Sequence, residues 1–293
     1  MDRYQFLSQI EKGVASRLVP ITAAMGSRTP LAGVLATGRL LRSSLAARIC
    51  MSDASPRDHN VIGVCVAAEI LHTATLCHDD VIDQSPRRRH RPSVWAATSV
   101  GGAVLLGDVL LADALAVIER ECPSRVRRFL EVMKEIGMAE LQVELSPEAT
   151  PASRSAWMAY NRSKTGALFA FVSGACGVDA GQVEALEESG YRIGAGYQAL
   201  DDIVDVCGDA VLSGKPGGRD RARGIQSPAG DDLRGYLDMA FSEWKEALRG
   251  LSRWPATQGA VLTFLTTDVL PPFREVLAGS PLAEALSAPA LLG

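Results

Sequence analysis

The segment from Leu71 to Pro92 contains residues whose types and spacing suit the binding of a metal ion. Asp79, Asp80 and Asp83 interrupt an apolar run, and a basic stretch follows Pro86. Residues four positions apart on an α-helix share one face, so Asp79 and Asp83 would project together. Mg²⁺ prefers oxygen ligands and is usually bound through one or two carboxylates plus substrate phosphates. Taken alone, however, such a cluster is more often a solvated helix face or a helix cap.

A second acidic cluster makes the metal-binding interpretation stronger. Asp201, Asp202 and Asp205 repeat the i, i+1, i+4 spacing inside another apolar helical pattern. Because unpaired carboxylates are costly to bury, two such copies are hard to explain as surface decoration. We therefore expect two helices that face each other across a cavity and hold a diphosphate between them through metal ions.

With these two motifs and the arginines after the first, the chain resembles the trans-isoprenyl diphosphate synthases, or polyprenyl synthetases. A DDxxD motif followed by a double Arg, and a second DDxxD motif, define that family. The resemblance covers about Gly38 to Asp220. It implies the all-α isoprenoid synthase type I fold, a homodimer, and about three Mg²⁺ ions per active site. The implied metal ligands are Asp79, Asp80, Asp83, Asp201, Asp202 and Asp205.

The composition favours one large, mostly helical domain over residues 1–293. Hydrophobic residues make up 47% of the chain and aromatic residues only 5%, with Ala and Leu dominating. Long helical patterns with short breaks and no convincing β alternation predict an all-α bundle around a central active-site cavity. One such pattern predicts a helix from about Asn60 to Asp83, and in another Gly107 would allow a close helix contact. The formal net charge of −4 argues against general nucleic-acid binding.

The cysteines and the N-terminal sequence suggest a cytoplasmic protein. The six cysteines form no CxxC pair, and several lie in apolar helical contexts, so we interpret these as small buried residues in a reducing compartment. The N-terminus lacks the long apolar core of a secretory signal. The longest apolar run, Gly101 to Ile118, is broken by Asp108 and Asp113, and we expect it to be too polar to span a bilayer.

The resemblance implies a binding site for the diphosphate of the non-allylic substrate. Arg39 and Arg42 would hold it, in a segment that departs from the family's Gly-Lys-x-x-Arg-Pro pattern at position 39 and at Ser43. Two surface arginines whose charged ends snorkel into water are an equal alternative. His72 lies two helical turns before Asp79, and the resemblance adds it to this site, although a lone His is more often a satisfied core residue.

Further residues match the family near the allylic substrate. The double Arg corresponds to Arg88 and Arg89, the first directed to the allylic diphosphate and the second to the homoallylic one. Lys164 and Thr165 match a Lys-Thr pair at a helix break, and Gln198 precedes the second acidic motif as in the family.

Two other matches are less direct. Gln142 corresponds to a Gln near the reacting chain, with structural polarity at a helix crossing as an equal alternative. Lys215 lies on a Gly/Pro-rich loop that would cover the diphosphate. Beyond Asp220 the family continues with a Gly-Lys, whereas this chain has GIQSPAG from Gly224, so a third lysine for the allylic diphosphate is missing.

Together these residues imply that an allylic diphosphate is condensed with isopentenyl diphosphate. Metal ions and cationic side chains would draw charge off the allylic diphosphate and make it a leaving group. Isopentenyl diphosphate would attack the carbocation, and loss of a proton would complete a chain that is one isoprene unit longer. The expected catalytic residues are Asp79, Asp83, Asp201, Lys164 and Lys215, with help from Arg88.

Product length should depend on the residues before the first acidic motif. In the family, an aromatic residue at the fourth or fifth position before the first Asp limits growth to short chains. Here those positions are Thr75 and Ala74, with Leu71 one turn deeper. Without an aromatic stopper, we expect geranylgeranyl diphosphate or a longer product.

Three alternatives remain open at this stage. A class I terpene cyclase would use similar acidic motifs but would need no second diphosphate site, which Arg39, Arg42, His72 and Arg89 argue against. A prenyltransferase with an unusual acceptor would fit the altered region after Asp220. A non-catalytic subunit of a hetero-oligomeric synthase would have little need for both acidic motifs.

Overall fold

The structure is a computed structural model that describes residues 1–24, 38–53, 60–88, 91–145, 153–207, 232–278, 280 and 282–286. Almost all regular structure in these ranges is helical, which confirms the all-α prediction. The helices are α1 (Arg3–Ala24), α2 (Leu41–Ser52), α3 (Val61–Ile82), α4 (Val94–Ala97), α5 (Val100–Glu121), α6 (Val126–Leu145), α7 (Arg154–Asn161), α8 (Ala167–Gly174), α9 (Ala180–Cys207), α10 (Leu233–Gly250), α11 (Pro255–Phe264) and α12 (Leu270–Val276).

Shorter elements connect several of these helices. A two-stranded antiparallel ribbon, β1 (Arg87–Arg88) and β2 (Arg91–Pro92), follows α3. One 3₁₀ turn, Pro123–Arg125, precedes α6. Two π-helical segments, Arg162–Gly166 and Leu265–Val269, join α7 to α8 and α11 to α12.

By its internal packing, the chain divides into two compact units. The first consists of Met1–Ala47 and Asp58–Phe129, and the second of Arg48–Arg57 and Leu130–Gly293. The single domain expected over residues 1–293 stays a prediction.

In the first unit, α3 packs against α1 and α5. The helix predicted from about residue 60 to 83 is confirmed: the Asn60 side chain accepts a hydrogen bond from Gly63 N at 3.1 Å, and α3 continues to Ile82. A Cβ atom on Gly107 of α5 would collide with the ring of His78 on α3. The glycine therefore allows the close helix contact that the sequence predicted.

In the second unit, α9 packs against α8 and α10. A Cβ added at Gly190 would lie 2.5 Å from the Cα of Ala170, and one at Gly194 would lie 2.5 Å from the Cα of Gly166. The backbone of α9 is therefore almost in contact with the backbone of α8 and of the π-helical segment that precedes α8. On the α10 side, the buried Trp244 donates from Nε1 to the carbonyl of Ile193 at 3.1 Å.

Four of the six cysteines are buried, as expected for several of them. Buried positions are Cys65, Cys77, Cys122 and Cys176, while Cys50 is half-buried and Cys207 exposed. Burial, together with the charge of Asp80, raises the pKa of Cys77 to about 12. This thiol therefore stays protonated near neutral pH and is a poor metal ligand.

Two helices of the first unit are long and apolar enough to cross a membrane by composition. Their best windows have mean hydropathies of 1.5 in α3 and 2.0 in α5. The expectation that the α5 segment is too polar was therefore wrong, since Asp108 and Asp113 do not bring its hydropathy below that of a span. One or two such helices are weak evidence, because a buried core helix passes the same test, and 67% of the α3 window is buried.

Candidate active site

The first acidic motif lies at the C-terminal end of α3. Asp79 and Asp80 belong to its last turn, and Asp83 is its C-cap residue. The carbonyl end of a helix carries partial negative charge, which destabilises a nearby carboxylate by roughly 0.3–1 kcal/mol. Asp80 is buried, whereas Asp79 and Asp83 are half-buried. Three carboxylates at this end of a helix call for cations close by.

Arg88 supplies one of these cations. Its Nε lies 2.9 Å from Oδ1 and 3.1 Å from Oδ2 of Asp80, and its Nη2 lies 2.8 Å from Oδ1. Burial disfavours the charged guanidinium, but the hydrogen bond and the charge of Asp80 outweigh burial and raise the pKa of Arg88 above its ordinary value. The Arg88 guanidinium therefore stays charged, and it engages the Asp80 carboxylate.

A tight turn brings Arg88 back to the end of the helix. Gln84 has a φ of 51°, and its N–H donates to the carbonyl of Val81 at 3.1 Å. The N–H of Ser85 donates to the carbonyl of Asp80 at 2.8 Å, which completes a Schellman motif. The strand pairing then sets Arg88 opposite Arg91. Part of the basic stretch therefore forms a short ribbon, and the pairing of Arg88 with Asp80 anchors this ribbon to the end of α3.

His78, for which the sequence suggested no role, is an inter-helical contact. Its Nε2 lies 3.2 Å from the carbonyl oxygen of Val104 and 3.3 Å from Oδ1 of Asp108, both on α5. The ring fills the space left by Gly107. The glycine was the sequence signal for this contact, but nothing in the pattern indicated which residue would fill the space.

The second acidic motif is supported by a polar relay in the second unit. Thr165 donates from Oγ1 to Oε1 of Gln198 at 2.9 Å, and Gln198 donates from Nε2 to Oδ1 of Asp202 at 2.7 Å. The hydroxyl and the carboxylate fix the orientation of the amide, because only its oxygen accepts and only its nitrogen donates. We name Thr165, Gln198 and Asp202 the α9 relay.

Lys164 is held by two partners that the sequence did not identify. Its Nζ lies 2.6 Å from Oε1 of Glu140 and 3.2 Å from the Tyr160 hydroxyl. The Tyr160 hydroxyl donates to Oε1 of Glu140 at 2.6 Å. Tyr160 and Lys164 stand four residues apart, which was a weak signal, but Glu140 belongs to a different helix. We name these three residues the Lys164 cluster.

The other predicted substrate residues differ in exposure. Arg39 and Gln142 are exposed, whereas Arg42 and His72 are half-buried. Arg89 and Lys215 lie outside the described residues. The assignment of all six to substrate binding or catalysis stays a prediction.

The departure from the family pattern at position 43 has a structural explanation. The Ser43 hydroxyl donates to Oε1 of Glu69 at 2.7 Å, and both residues are buried. This bond ties the first turn of α2 to α3. Ser43 thus fixes the start of the helix that carries Arg42 and gives the buried Glu69 carboxylate a donor.

The three predicted chain-length residues lie on α3. Leu71 and Ala74 are buried, with 1% and 0% exposure, and Thr75 is half-buried. The hydroxyl of Thr75 donates to the carbonyl of His72 at 2.9 Å. A larger side chain therefore meets more resistance at position 74 than at position 75.

The donor atoms present fit a magnesium site that the substrate completes. Within the described residues, no group of three or more His, Cys, Asp and Glu side chains is arranged to hold a metal by itself. Mg²⁺ rarely needs such a cage, because waters and substrate phosphates fill most of its coordination sphere. Asp79 and Asp83, one turn apart at the end of α3, offer the hard oxygen ligands that this binding mode requires.

The chain matches a family model described as polyprenyl synthetase over residues 28–229. It is also 33% identical over 208 residues to the geranylgeranyl diphosphate synthase of Mycobacterium tuberculosis, a match that covers 64% of this chain and 56% of that protein. The matches span about half to two thirds of the length of several curated relatives.

Solved structures show the same fold. A polyprenyl synthase from Caulobacter crescentus, complexed with calcium and isoprenyl diphosphate, has a TM-score of 0.65 at 22% identity and covers 98% of this chain and 93% of its own. A geranyltransferase from Helicobacter pylori, complexed with magnesium and isoprenyl diphosphate, also has a TM-score of 0.65 at 22% identity, covering 78% of this chain and 83% of its own. At this identity the likeness establishes the fold alone.

The chain therefore belongs to the polyprenyl synthetase family, as the paired acidic motifs predicted. Its fold is the all-α isoprenoid synthase type I fold.

Proposed function

We propose that this polyprenyl synthetase family member is a Mg²⁺-dependent prenyltransferase that condenses an allylic diphosphate with isopentenyl diphosphate. The product is a longer all-trans polyprenyl diphosphate. The observation that carries the proposal is the pairing of the buried Asp80 with Arg88 at the acidic end of α3. It joins a fixed cation to a cluster of carboxylates, and a metal-bound diphosphate needs both.

Carboxylates of both acidic motifs hold the metal in this proposal. Asp79, Asp83 and Asp201 are the principal ligands, and about three Mg²⁺ ions occupy the site. Mg²⁺ held by these carboxylates would neutralise the allylic diphosphate and make it a better leaving group. The remaining metal ligands proposed from the motifs are Asp80, Asp202 and Asp205. Since Arg88 and Gln198 engage Asp80 and Asp202, these two act more through orientation than through coordination.

Cationic side chains hold the substrates while the bond to the diphosphate breaks. Arg88 and Lys164, with Lys215, bind the allylic diphosphate as charge develops on it. Each of the first two already pairs with a carboxylate, so substrate oxygens must share or replace that partner. The released diphosphate accepts the proton lost by the new chain, and no side-chain base is required.

The second substrate has its own set of residues. Arg39, Arg42, His72 and Arg89 bind isopentenyl diphosphate. Arg suits this role because its planar guanidinium binds phosphate oxygens through two nitrogens at once. Gln142 and the α9 relay lie near the reacting chain in this proposal.

We also propose that the side chains before the first acidic motif set the product length. Without an aromatic residue at Ala74, Thr75 or Leu71, the product is geranylgeranyl diphosphate or longer. Ala74→Phe and Thr75→Phe should both shorten it, as measured by mass analysis of the products. Because Ala74 is fully buried, Thr75→Phe is the better-tolerated variant. An unchanged product distribution in both variants would exclude this role.

The proposed protein is a cytoplasmic homodimer. The helix α5 supports this assembly, because Leu105 and Val109, one turn apart, are 67% and 48% exposed, and Val104 beside them is 38% exposed. Such an apolar row is typical of an interaction surface. Light scattering of the purified chain should give the mass of two copies, and Leu105→Asp should reduce it to one.

The function is tested by incubating the purified chain with Mg²⁺ and dimethylallyl, geranyl, farnesyl or geranylgeranyl diphosphate, with and without isopentenyl diphosphate. Longer prenyl diphosphates formed only with isopentenyl diphosphate are the expected result. Hydrocarbons or alcohols formed from an allylic diphosphate alone would replace the proposal with a terpene cyclase. No turnover with any primer would contradict it for the isolated chain.

A further inference from the structure

The Lys164 cluster contains a buried carboxylate that the proposed reaction does not use. Glu140 is 9% exposed and lies 2.6 Å from Nζ of Lys164. The Tyr160 hydroxyl donates to the same carboxylate oxygen, also at 2.6 Å. An anion thus already occupies one side of the ammonium group that the proposed function assigns to the allylic diphosphate.

We infer that Glu140 competes with the diphosphate for Lys164. It thereby lowers the affinity of this site for the allylic diphosphate and for the released pyrophosphate. This inference rests on the proposed function of Lys164. Glu140 lowers the affinity for two reasons. Its carboxylate neutralises the charge of Lys164, and a bound phosphate oxygen must lie close to this second negative charge.

The surroundings of Glu140 hold its carboxylate beside Lys164. The carboxylate is buried on α6, and a buried carboxylate without its donors would be costly. Tyr160 provides a donor that does not depend on Lys164. Burial raises the pKa of the Tyr160 phenol, with Lys164 opposing and Glu140 adding to this shift, so the phenol keeps its proton and donates. Glu140 therefore remains near Lys164 when an anion binds.

The direction of the effect follows from the charges. The pair Glu140–Lys164 has no net charge, whereas the pair with Gln at position 140 has a charge of plus one. Opposite charges a few ångströms apart in a partly buried site interact strongly. When the charge of Glu140 is removed, the ammonium group of Lys164 attracts only the bound anion. A competitor of this kind favours release of pyrophosphate after the allylic substrate ionises.

The test is calorimetric titration of the full chain with inorganic pyrophosphate in the presence of Mg²⁺. Glu140→Gln should tighten pyrophosphate binding by about threefold to tenfold. In a Lys164→Met background the same substitution should change the affinity by less than about twofold, because the lysine that mediates the effect is gone.

Glu135 provides a matched control on the same helix. It accepts a hydrogen bond from the Tyr191 hydroxyl at 2.6 Å, as Glu140 does from Tyr160, and its described contacts include no lysine. Glu135→Gln removes the same charge and should change pyrophosphate affinity by less than about twofold. If Glu140→Gln does not fold, Glu140→Asp serves instead. It draws the carboxylate back from Lys164 and should tighten binding by about twofold.

The outcomes separate this inference from the proposed function. Unchanged or weaker pyrophosphate binding in the Glu140 variants, with weaker binding in Lys164→Met, overturns the role of Glu140 and leaves that of Lys164 intact. Equal tightening by Glu140→Gln with and without Lys164, or by Glu135→Gln, also overturns it, because the effect would be one of net charge. Unchanged binding in Lys164→Met overturns the role of Lys164 in the proposed function, and this inference with it.

Discussion

The two acidic motifs have the same spacing but different support. At the end of α3, Asp80 is paired with a charged guanidinium through two nitrogens. On α9, Asp202 accepts from the neutral amide of Gln198, which Thr165 orients in turn. Arg88 compensates the charge of the Asp80 carboxylate, whereas Gln198 orients the Asp202 carboxylate without adding a charge. Identical spacing in a sequence therefore does not imply an identical electrostatic environment.

The largest expected effect tests whether the two motifs are equivalent in catalysis. Asp79→Asn and Asp201→Asn should each lower kcat for chain elongation by about 100-fold to 1000-fold, because each removes a charged metal ligand. Steady-state assays with farnesyl and isopentenyl diphosphate over a range of Mg²⁺ concentrations measure this. Asp238→Asn, which changes an exposed Asp paired with Arg234, should leave kcat unchanged. A large loss in only one motif would show that the other does not bind the metal.

The next effect concerns stability at the end of α3. Arg88→Met leaves the Asp80 carboxylate buried without its guanidinium partner and should lower the free energy of unfolding by about 3 kcal/mol. We take the low end of the usual range because the Arg88 side chain is 25% exposed. Urea unfolding measures the change. Arg87→Met, at the exposed neighbouring position, should cost less than about 0.5 kcal/mol.

The α9 relay should give a smaller effect. Gln198→Leu removes the acceptor of Thr165 and a donor to Asp202, and should lower the free energy of unfolding by about 1–2 kcal/mol. Gln142→Leu on the exposed face of α6 is the control and should cost less than about 0.5 kcal/mol. If Gln198→Leu cost as much as Arg88→Met, the contrast between charge compensation and orientation would fail.

The smallest effect concerns the turn that returns Arg88 to α3. Gln84 has a φ of 51°, which glycine adopts without the steric cost of a side chain. Gln84→Gly should therefore raise the free energy of unfolding by about 0.5–1 kcal/mol. Leu40 has a similar φ of 48° but is 5% exposed, so Leu40→Gly should destabilise through lost burial. Thermal unfolding should show the two shifts with opposite sign.

Much of the local structure was predictable because its causes are local. The apolar pattern after Asn60 placed α3 within one residue of its observed ends. The spacing of Asp79 and Asp83 predicted carboxylates on one helix face, and Gly107 predicted a close helix contact. Each of these depends on residues within a few turns of one another, where helix geometry fixes the relation between positions.

The support around the site was not predictable, because it depends on contacts between distant segments. The Arg88–Asp80 pair requires a left-handed residue at Gln84, a position where no glycine signals a turn. The Glu140–Lys164 pair joins different helices, and neither residue type indicates the other. The sequence predicted which side chains bind substrate, and this stays a prediction, while the partners of these side chains are visible only in the packing.

The loss of one residue from the π-helical segment that carries Lys164 would affect the fold and the function differently. Such a segment accommodates one residue more than an α-helical turn, usually without disturbing the helices on either side. Losing one residue between Arg162 and Gly166 would therefore return the segment to ordinary helix and leave α7 and α8 joined. The same loss would displace Lys164 or Thr165 from its partner. In a lineage of this chain, a one-residue deletion here would yield a protein that still folds but no longer positions Lys164 or Thr165 for the role proposed for them.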